Sequence, residues 1–251
     1  MSGHSKWSTI KHQKEVTDKR RGQVFSKFAK AISVAARDGV DPDSNFKLRL
    51  VIEKAKAVNM PKANIERAIE KAQGSGGGGS LEEILFEGYG PAGVAVMVEV
   101  VTDNRNRSAS EVKNIFERSG GSLAGPGSVS FQFSPLGSII IDKERSQGED
   151  ALLALLDIEG VEDLIEEDND LIEIYTKPQS LTLVKDEVSK MGFKIKDINF
   201  DRRPNTPILI KDKQKAEKVL TFMSALEEHD DVQNVFANFD IPDQILKEIQ
   251  A

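Results

Sequence analysis

Apolar residues recur at helical spacing through the first third of the chain and alternate after residue 80. Val24, Phe28, Ala31, Ile32 and Ala35 share one face of a helix predicted over 17–37, which Gly39 stops. Asp41-Pro42 offers a cap and a first-turn proline for a second helix carrying Leu48, Val51, Ile52 and Ala55 on one face. Pro61 opens a third, with Ile65, Ala68, Ile69 and Ala72 inward and Gly74 closing it. Each helix alone buries too little to be stable, so the three must pack together or on a partner. Residues 1–16 show no apolar period and are expected to order only on binding. Five glycines within residues 74–80 make a flexible hinge.

Beyond the hinge the pattern predicts strands at 93–101, 128–134, 138–141, 161–166, 171–175, 194–200, 208–210 and 232–237. Helices fall at 108–118, 149–156, 181–191 and 212–228. The order from 138 to 200 is a full βαββαβ unit, and the flanking elements supply two further βαβ halves. The expected fold is therefore α+β: an N-terminal three-helix domain followed by two ferredoxin-like βαββαβ modules, one inserted into the other. The boundaries are a basic helical head at 1–73, a hinge at 74–80, a discontinuous domain at 81–135 plus 204–251, and an inserted domain at 136–203. Pro204 and Pro207 stiffen the return crossing.

Charge sharpens this division. Residues 1–73 hold 16 Lys+Arg against 8 Asp+Glu, whereas residues 74–251 hold 18 against 33, so a basic head sits on an acidic body. That arrangement suits a protein whose head docks on a polyanion while the rest avoids it. The chain has no cysteine, which excludes disulfides and thiolate zinc sites. Its longest apolar stretch, 93–101, is broken by Glu99 and is far short of the roughly 18 residues of a membrane span. Residues 1–21 are polar and basic, without a secretory apolar core, so a cytoplasmic location is expected.

Several constellations bear on chemistry. Residues 3–14 interleave Trp7 with Lys6, Lys11 and Lys14; an indole can stack on a base while ammonium groups neutralise phosphates. Lys19, Arg20, Arg21, Lys27 and Lys30 lie on the polar side of the first helix with few acids to balance them, which favours a phosphate-binding face. The segment Thr102-Asp103-Asn104-Arg105-Asn106-Arg107-Ser108 follows a strand and opens a helix. Arg105 and Arg107 could hold an anion there with the helix-start amides, or Asp103 or Asn104 could cap those amides instead. Phe131 and Phe133 alternate with polar residues and are expected in the core rather than on a base-stacking platform. Residues 157–173 hold nine acids and no base, read as a solvated acidic surface. His4 and His12 lack companions at metal-ligand spacing, so no metal is expected. No nucleophile–base–acid arrangement and no phosphate loop appears, which argues against an enzyme.

Gly3-His4-Ser5-Lys6-Trp7, Met60-Pro61-Lys62-Ala63-Asn64-Ile65-Glu66-Arg67-Ala68-Ile69, Glu87-Gly88-Tyr89-Gly90-Pro91, Thr102 to Arg107, and Gly125-Pro126-Gly127-Ser128-Val129 together resemble the YebC/PmpR family across essentially the whole chain. The resemblance implies three domains, a helical head and two α/β modules, one interrupting the other. It implies a transcriptional regulator that binds DNA; a related mitochondrial protein is a translational activator of cytochrome oxidase, and bacterial relatives have been assigned to ribosomes stalled on proline-rich stretches. It places the family opening, Gly3 to Trp7 with Lys11, at the nucleic-acid contact. The glycine-rich hinge looks longer than is usual in the family.

The expectation is a non-enzymatic nucleic-acid-binding regulator, monomeric, without cofactor, membrane or small-molecule substrate. The target is DNA, or alternatively ribosomal RNA on the ribosome. The contacts are Lys6, Trp7, Lys11, Lys14, Lys19, Arg20, Arg21, Lys27 and Lys30, with Arg105 and Arg107.

Overall fold

The computed structural model describes residues 18–73, 80–143, 149–167 and 171–250. Most of the hinge lies outside them, as do Lys6, Trp7, Lys11 and Lys14. The chain divides into two compact units, one of residues 133–205 and one of the residues on either side. The described residues hold eight α-helices and two four-stranded antiparallel sheets, plus a two-stranded ladder.

The unit that flanks the insertion opens with helices α1 (Asp18–Ala35), α2 (Phe46–Ala57) and α3 (Lys62–Ala72). Ile32, Ala35, Leu48, Ile52, Ala55, Met60, Ile65 and Ala68 form their core, and Ser33 Oγ donates to Ala68 O at 2.7 Å to tie α1 to α3. α2 begins later than expected. Its cap is Asn45, which accepts from Leu48 N at 3.0 Å and donates to Ala35 O and Gly39 O, so one side chain caps α2 and closes the α1–α2 turn. Asp41 instead accepts from Asp43 N at 3.0 Å inside that turn.

The same unit then forms strands β1 (Glu82–Tyr89) and β2 (Ala95–Thr102), helix α4 (Arg105–Arg118) and strand β3 (Ser122–Ala124). β1 and β2 pair in register from Glu82–Thr102 to Tyr89–Ala95. After the insertion come β8 (Ile208–Leu209), α7 (Lys213–Glu227), β9 (Val232–Ala237), β10 (Phe239–Asp240) and α8 (Asp243–Gln250). The sheet order is β3-β1-β2-β9. Val96, Val98 and Val100 of β2 pack beneath Val112 and Phe116 of α4 and Val219, Phe222 and Met223 of α7, with Phe116 edge-on to Phe222 at 4.9 Å. Gly88 lets β3 approach: a Cβ there would sit 2.5 Å from Ser122 O.

This sheet corrects the expected pair of βαβ halves. A β1–β2 hairpin occupies its centre, and the sequence reading left β1 unassigned. Residues 130–132 form a 3-10 turn rather than a strand, and β8 pairs only with β10. Asn238 accounts for the diversion of the chain after β9: its Oδ1 accepts from Ala95 N at 2.8 Å, and its carbonyl accepts from Ile208 N. With the turn at 130–132 the two phenylalanines part company, Phe133 being buried and Phe131 71 % exposed.

The other unit contains β4 (Phe133–Asp142), α5 (Glu149–Leu156), β5 (Val161–Glu167), β6 (Leu171–Thr176), α6 (Leu181–Lys190) and β7 (Ile195–Pro204) in βαββαβ order, with sheet order β5-β6-β4-β7. Gly137 admits α6, since a Cβ would lie 2.8 Å from Leu181 Cδ1. The acidic run is not uniformly solvated. Glu173 is buried and accepts from Ser138 Oγ at 2.6 Å and Tyr175 OH at 2.7 Å, while Asp163 pairs with Arg203 at 2.6 Å. No helix among the described residues is long and apolar enough to cross a membrane.

Candidate nucleic-acid interface

Helix α1 carries two functional seams. Its apolar face packs on α2 and α3, and a second stripe at positions 23, 27, 30 and 34, continued by Arg37 in the 3-10 turn 36–38, meets the rest of the same unit. That spacing of four and three keeps the four helical residues on one side of a helix. Gln23 Nε2 donates to Asp230 Oδ1 at 3.1 Å, Lys27 Nζ donates to Glu227 O, and Arg37 donates to Leu81 O. Val34 packs with Leu81 and Val101. Glu227 is the last residue of α7, so its carbonyl lies at the negative end of that helix, where an ammonium is favoured.

Asp231 is the hub of this seam. Its side chain is 3 % exposed and pairs with Lys30 Nζ on one oxygen. The other oxygen accepts from Ser108 Oγ at 2.6 Å, Arg107 Nη2 at 2.9 Å and Thr102 Oγ1 at 3.2 Å. Burial alone would raise the carboxyl pKa. Donation from Lys30, Ser108 and Arg107 outweighs it and holds the group well below the usual carboxylate range. The Thr102–Ser108 motif thus gathers around an acid 123 residues away from Ser108. His229 closes the turn: its Nδ1 accepts from Asp231 N at 3.1 Å, so the proton sits on Nε2, 2.8 Å from Glu111 Oε2. Ligating atoms of Glu111, His229 and Asp231 lie within 4.8 Å of one another, but the protein supplies the cations there, through Lys30 and Arg107.

The sequence motif at 102–108 resolves into a capped turn. Asn104 Oδ1 accepts from Arg107 N at 3.1 Å, and Arg107 bridges Asp231 and Asp103. Arg105 is exposed at the first position of α4. Two residues expected on a phosphate-binding face are therefore turned inward: Lys27 and Lys30 face an acidic turn and a helix end. Polarity marked them as solvent-facing, but the acceptors that claim them are some two hundred residues away. Lys19 and Arg20 lie in the first turn of α1, and Arg21 is exposed. Farther along the head, Lys47, Lys56, Arg67 and Lys71 are exposed, and Lys62 pairs with Glu66 at 3.4 Å. Residues 46–73 hold seven Lys+Arg against three acids, so the outer surface of α2 and α3 is cationic.

A second buried acid organises the glycine-rich loop. Glu87 on β1 is 4 % exposed and accepts from Gly127 N and Val129 N at 2.8 Å and Ser130 N at 2.9 Å. Burial would raise its pKa, yet the three amides bring the net shift below the ordinary value. The Glu87-to-Pro91 and Gly125-to-Val129 motifs are thus two halves of one contact. Glu87→Gln presents an NH2 group to backbone donors, and a loss of about 2 kcal/mol is expected. Urea denaturation should read that loss, and hydrogen exchange should localise it to the amides of Gly127, Val129 and Ser130. Asp231 escaped the sequence reading, and Glu87 entered it only as part of a family motif, with no role. A single acid in a helix-to-strand turn, or at one position of a strand, has no pattern that marks it as a hub.

Comparison with known proteins agrees with these motifs. Residues 5–75 match the family described as TACO1/YebC protein N-terminal domain, and residues 81–239 match TACO1/YebC second and third domain. A "Probable transcriptional regulatory protein" of Halothermothrix orenii is 46 % identical over 99 % of both chains. One of Dictyoglomus thermophilum is 47 % identical over 99 % of this chain and 100 % of its own. A crystal structure of a conserved hypothetical protein from Aquifex aeolicus superposes with a TM-score of 0.81 at 43 % identity, covering 91 % of this chain and 94 % of that one. With its head, its sheets and its signature motifs all matched along the length, this chain belongs to the TACO1/YebC family.

Proposed function

We propose that this protein is a non-enzymatic regulator of gene expression that grips nucleic acid with its helical head. The observation that carries the reading is the partition of cations on that head. Lys27, Lys30 and Arg37 face the body of their own unit, while the outer surface of α2 and α3, and Arg21 of α1, keep exposed basic residues. The acidic remainder limits nonspecific adhesion. In this reading Lys6, Trp7, Lys11 and Lys14 extend the grip ahead of α1, and the protein acts in the cytoplasm as a monomer. The names of the relatives favour transcription, and duplex DNA is the target we assign on that reading.

One observation favours structured RNA, and hence a ribosomal target, as the second reading. The exposed face of α3 interrupts Lys62, Arg67 and Lys71 with Glu66 and Glu70, and Lys62 is already paired. A helix reading base edges in a major groove needs donors aimed at them, whereas phosphate and shape contacts suffice for folded RNA. Co-sedimentation with purified ribosomes in the presence of excess duplex DNA separates the two. Loss of ribosome binding to the DNA competitor is the outcome expected for a transcriptional regulator. Ribosome binding that survives the competitor would make the protein a translation factor. Failure to bind either polymer would overturn the nucleic-acid reading.

A further inference from the structure

Outside the head, charge is unevenly spread, and the exception to its acidity sits at the start of α7. Residues 206–218 hold Lys211, Lys213, Lys215 and Lys218 against Asp212 and Glu217, whereas residues 219–251 hold a single Lys against seven Asp+Glu. Lys211, Lys215 and Lys218 are all exposed. Lys215 and Lys218 stand three residues apart on one side of α7, and Lys211 directly precedes its cap. Lys213 and Glu217 share a different side, where Lys213 Nζ donates to Glu248 O at 2.9 Å. Among the described residues no acid pairs with Lys211, Lys215 or Lys218.

Folding alone gives no reason for this placement. Cations at the start of a helix oppose its macrodipole, and lysines three or four residues apart repel each other. The first turn of α7 contains no acid to offset them. The helix amides are not the attraction, because Asp212 Oδ1 already accepts from Lys215 N at 2.8 Å and caps them. Side chains that raise the energy of the free protein find their compensation in an anionic partner. Position identifies which anion. At 1.5 Å per residue the 15 residues of α7 run about 22 Å. At the far end, Lys27 of the head donates to the carbonyl of Glu227. One helix of the same unit thus holds the lysines at a fixed reach from the head. That reach exceeds any small anion and suits a polymer whose phosphates recur along its length. We infer that Lys211, Lys215 and Lys218 form a second phosphate-contact patch for the nucleic acid that the head grips. This rests on the nucleic-acid reading above. It adds a contact on the part of the chain that charge balance marks as acidic.

The test titrates the full chain against a fluorescein-labelled duplex DNA and an RNA hairpin, each of about two helical turns, over a range of salt. The slope is read on whichever polymer the wild type binds. Lys211→Gln, Lys215→Gln and Lys218→Gln together are expected to flatten the log–log salt dependence on the duplex by about 2.7, at about 0.9 per contact. Arginine at the same three positions should keep the slope. A control removes as much charge elsewhere, through Lys113→Gln, Lys185→Gln and Lys190→Gln, three lysines that are each paired with an acid. It should leave the slope where it is. An unchanged slope in the α7 variant, or an equal flattening in the control, would overturn the patch. Charge reversal at Lys19, Arg20 and Arg21 would still report on the head. A wild-type chain that binds neither polymer would remove the underlying reading as well. Because the glutamines relieve repulsion at the helix start, the α7 variant should melt at or above the wild type in thermal unfolding.

Discussion

Asp231→Ala is expected to destabilise the unit that holds the head by about 2–3 kcal/mol, chiefly the cost of leaving the buried hydroxyls of Ser108 and Thr102 without their acceptor. Lys30, Arg107, Ser108 and Thr102 all lose an acceptor at once. Asp231→Asn keeps the shape and removes the charge, so it should cost less. A double-mutant cycle with Lys30→Met isolates the ion pair, with a coupling of about 2 kcal/mol expected. The readout is hydrogen exchange in α1, with α6 of the other unit as internal reference. Unchanged protection of α1 in Asp231→Ala would show that the hub does not anchor the head.

The pH dependence follows from the same carboxyl. Its folded pKa lies below the unfolded value of about 3.9, so its contribution is complete at neutral pH. Below about pH 4 the unfolded chain takes up a proton that the folded chain refuses, and the contribution falls away. The stability gap between wild type and Asp231→Asn should therefore narrow as the pH falls below 4. Glu87 is depressed in both chains and cancels from that difference.

The second large effect concerns affinity. Changing Lys19, Arg20 and Arg21 together to Glu should flatten the log–log salt dependence of duplex binding by about 2.7, at about 0.9 per phosphate contact. Near physiological salt three such contacts correspond to roughly a hundredfold in affinity. Sequence preference should not change, since phosphates carry none. Lys27→Ala is the informative control. Its ammonium caps the carbonyl end of α7, so the salt slope should stay put while α1 protection drops. A slope that flattens in Lys27→Ala and not in the triple variant would invert the assignment of the two groups.

Much of the architecture was legible along the chain. The helix at Glu149–Leu156 and the strand at Val232–Ala237 begin and end where their patterns predict. β1 was missed although Ile84, Leu85 and Phe86 make a short apolar run between Glu83 and Glu87, since its neighbours Glu87 and Gly88 do not look like a strand until their partners are known. α8 is short, and its Ile245, Leu246 and Ile249 become a helix face only by joining the core of α4 and α7. Phe131 followed a period-two pattern into a predicted core because a 3-10 turn over three residues leaves no periodic trace.

The candidate site divides along the same line. Sequence alone determined that this protein has a cationic helical head, an acidic α/β remainder, and motifs shared with one family, because charge balance and short-range periodicity are properties of neighbours along the chain. Only the tertiary structure decided which cations face outward. Helical spacing puts Lys27 and Lys30 on a different side of α1 from Arg21, but it does not record what that side meets. What separates them is an acid and a helix end some two hundred residues downstream, brought within hydrogen-bond reach by folding. A buried carboxylate recruits its donors by proximity in space, and proximity in space is the one quantity that a pattern along the chain does not carry.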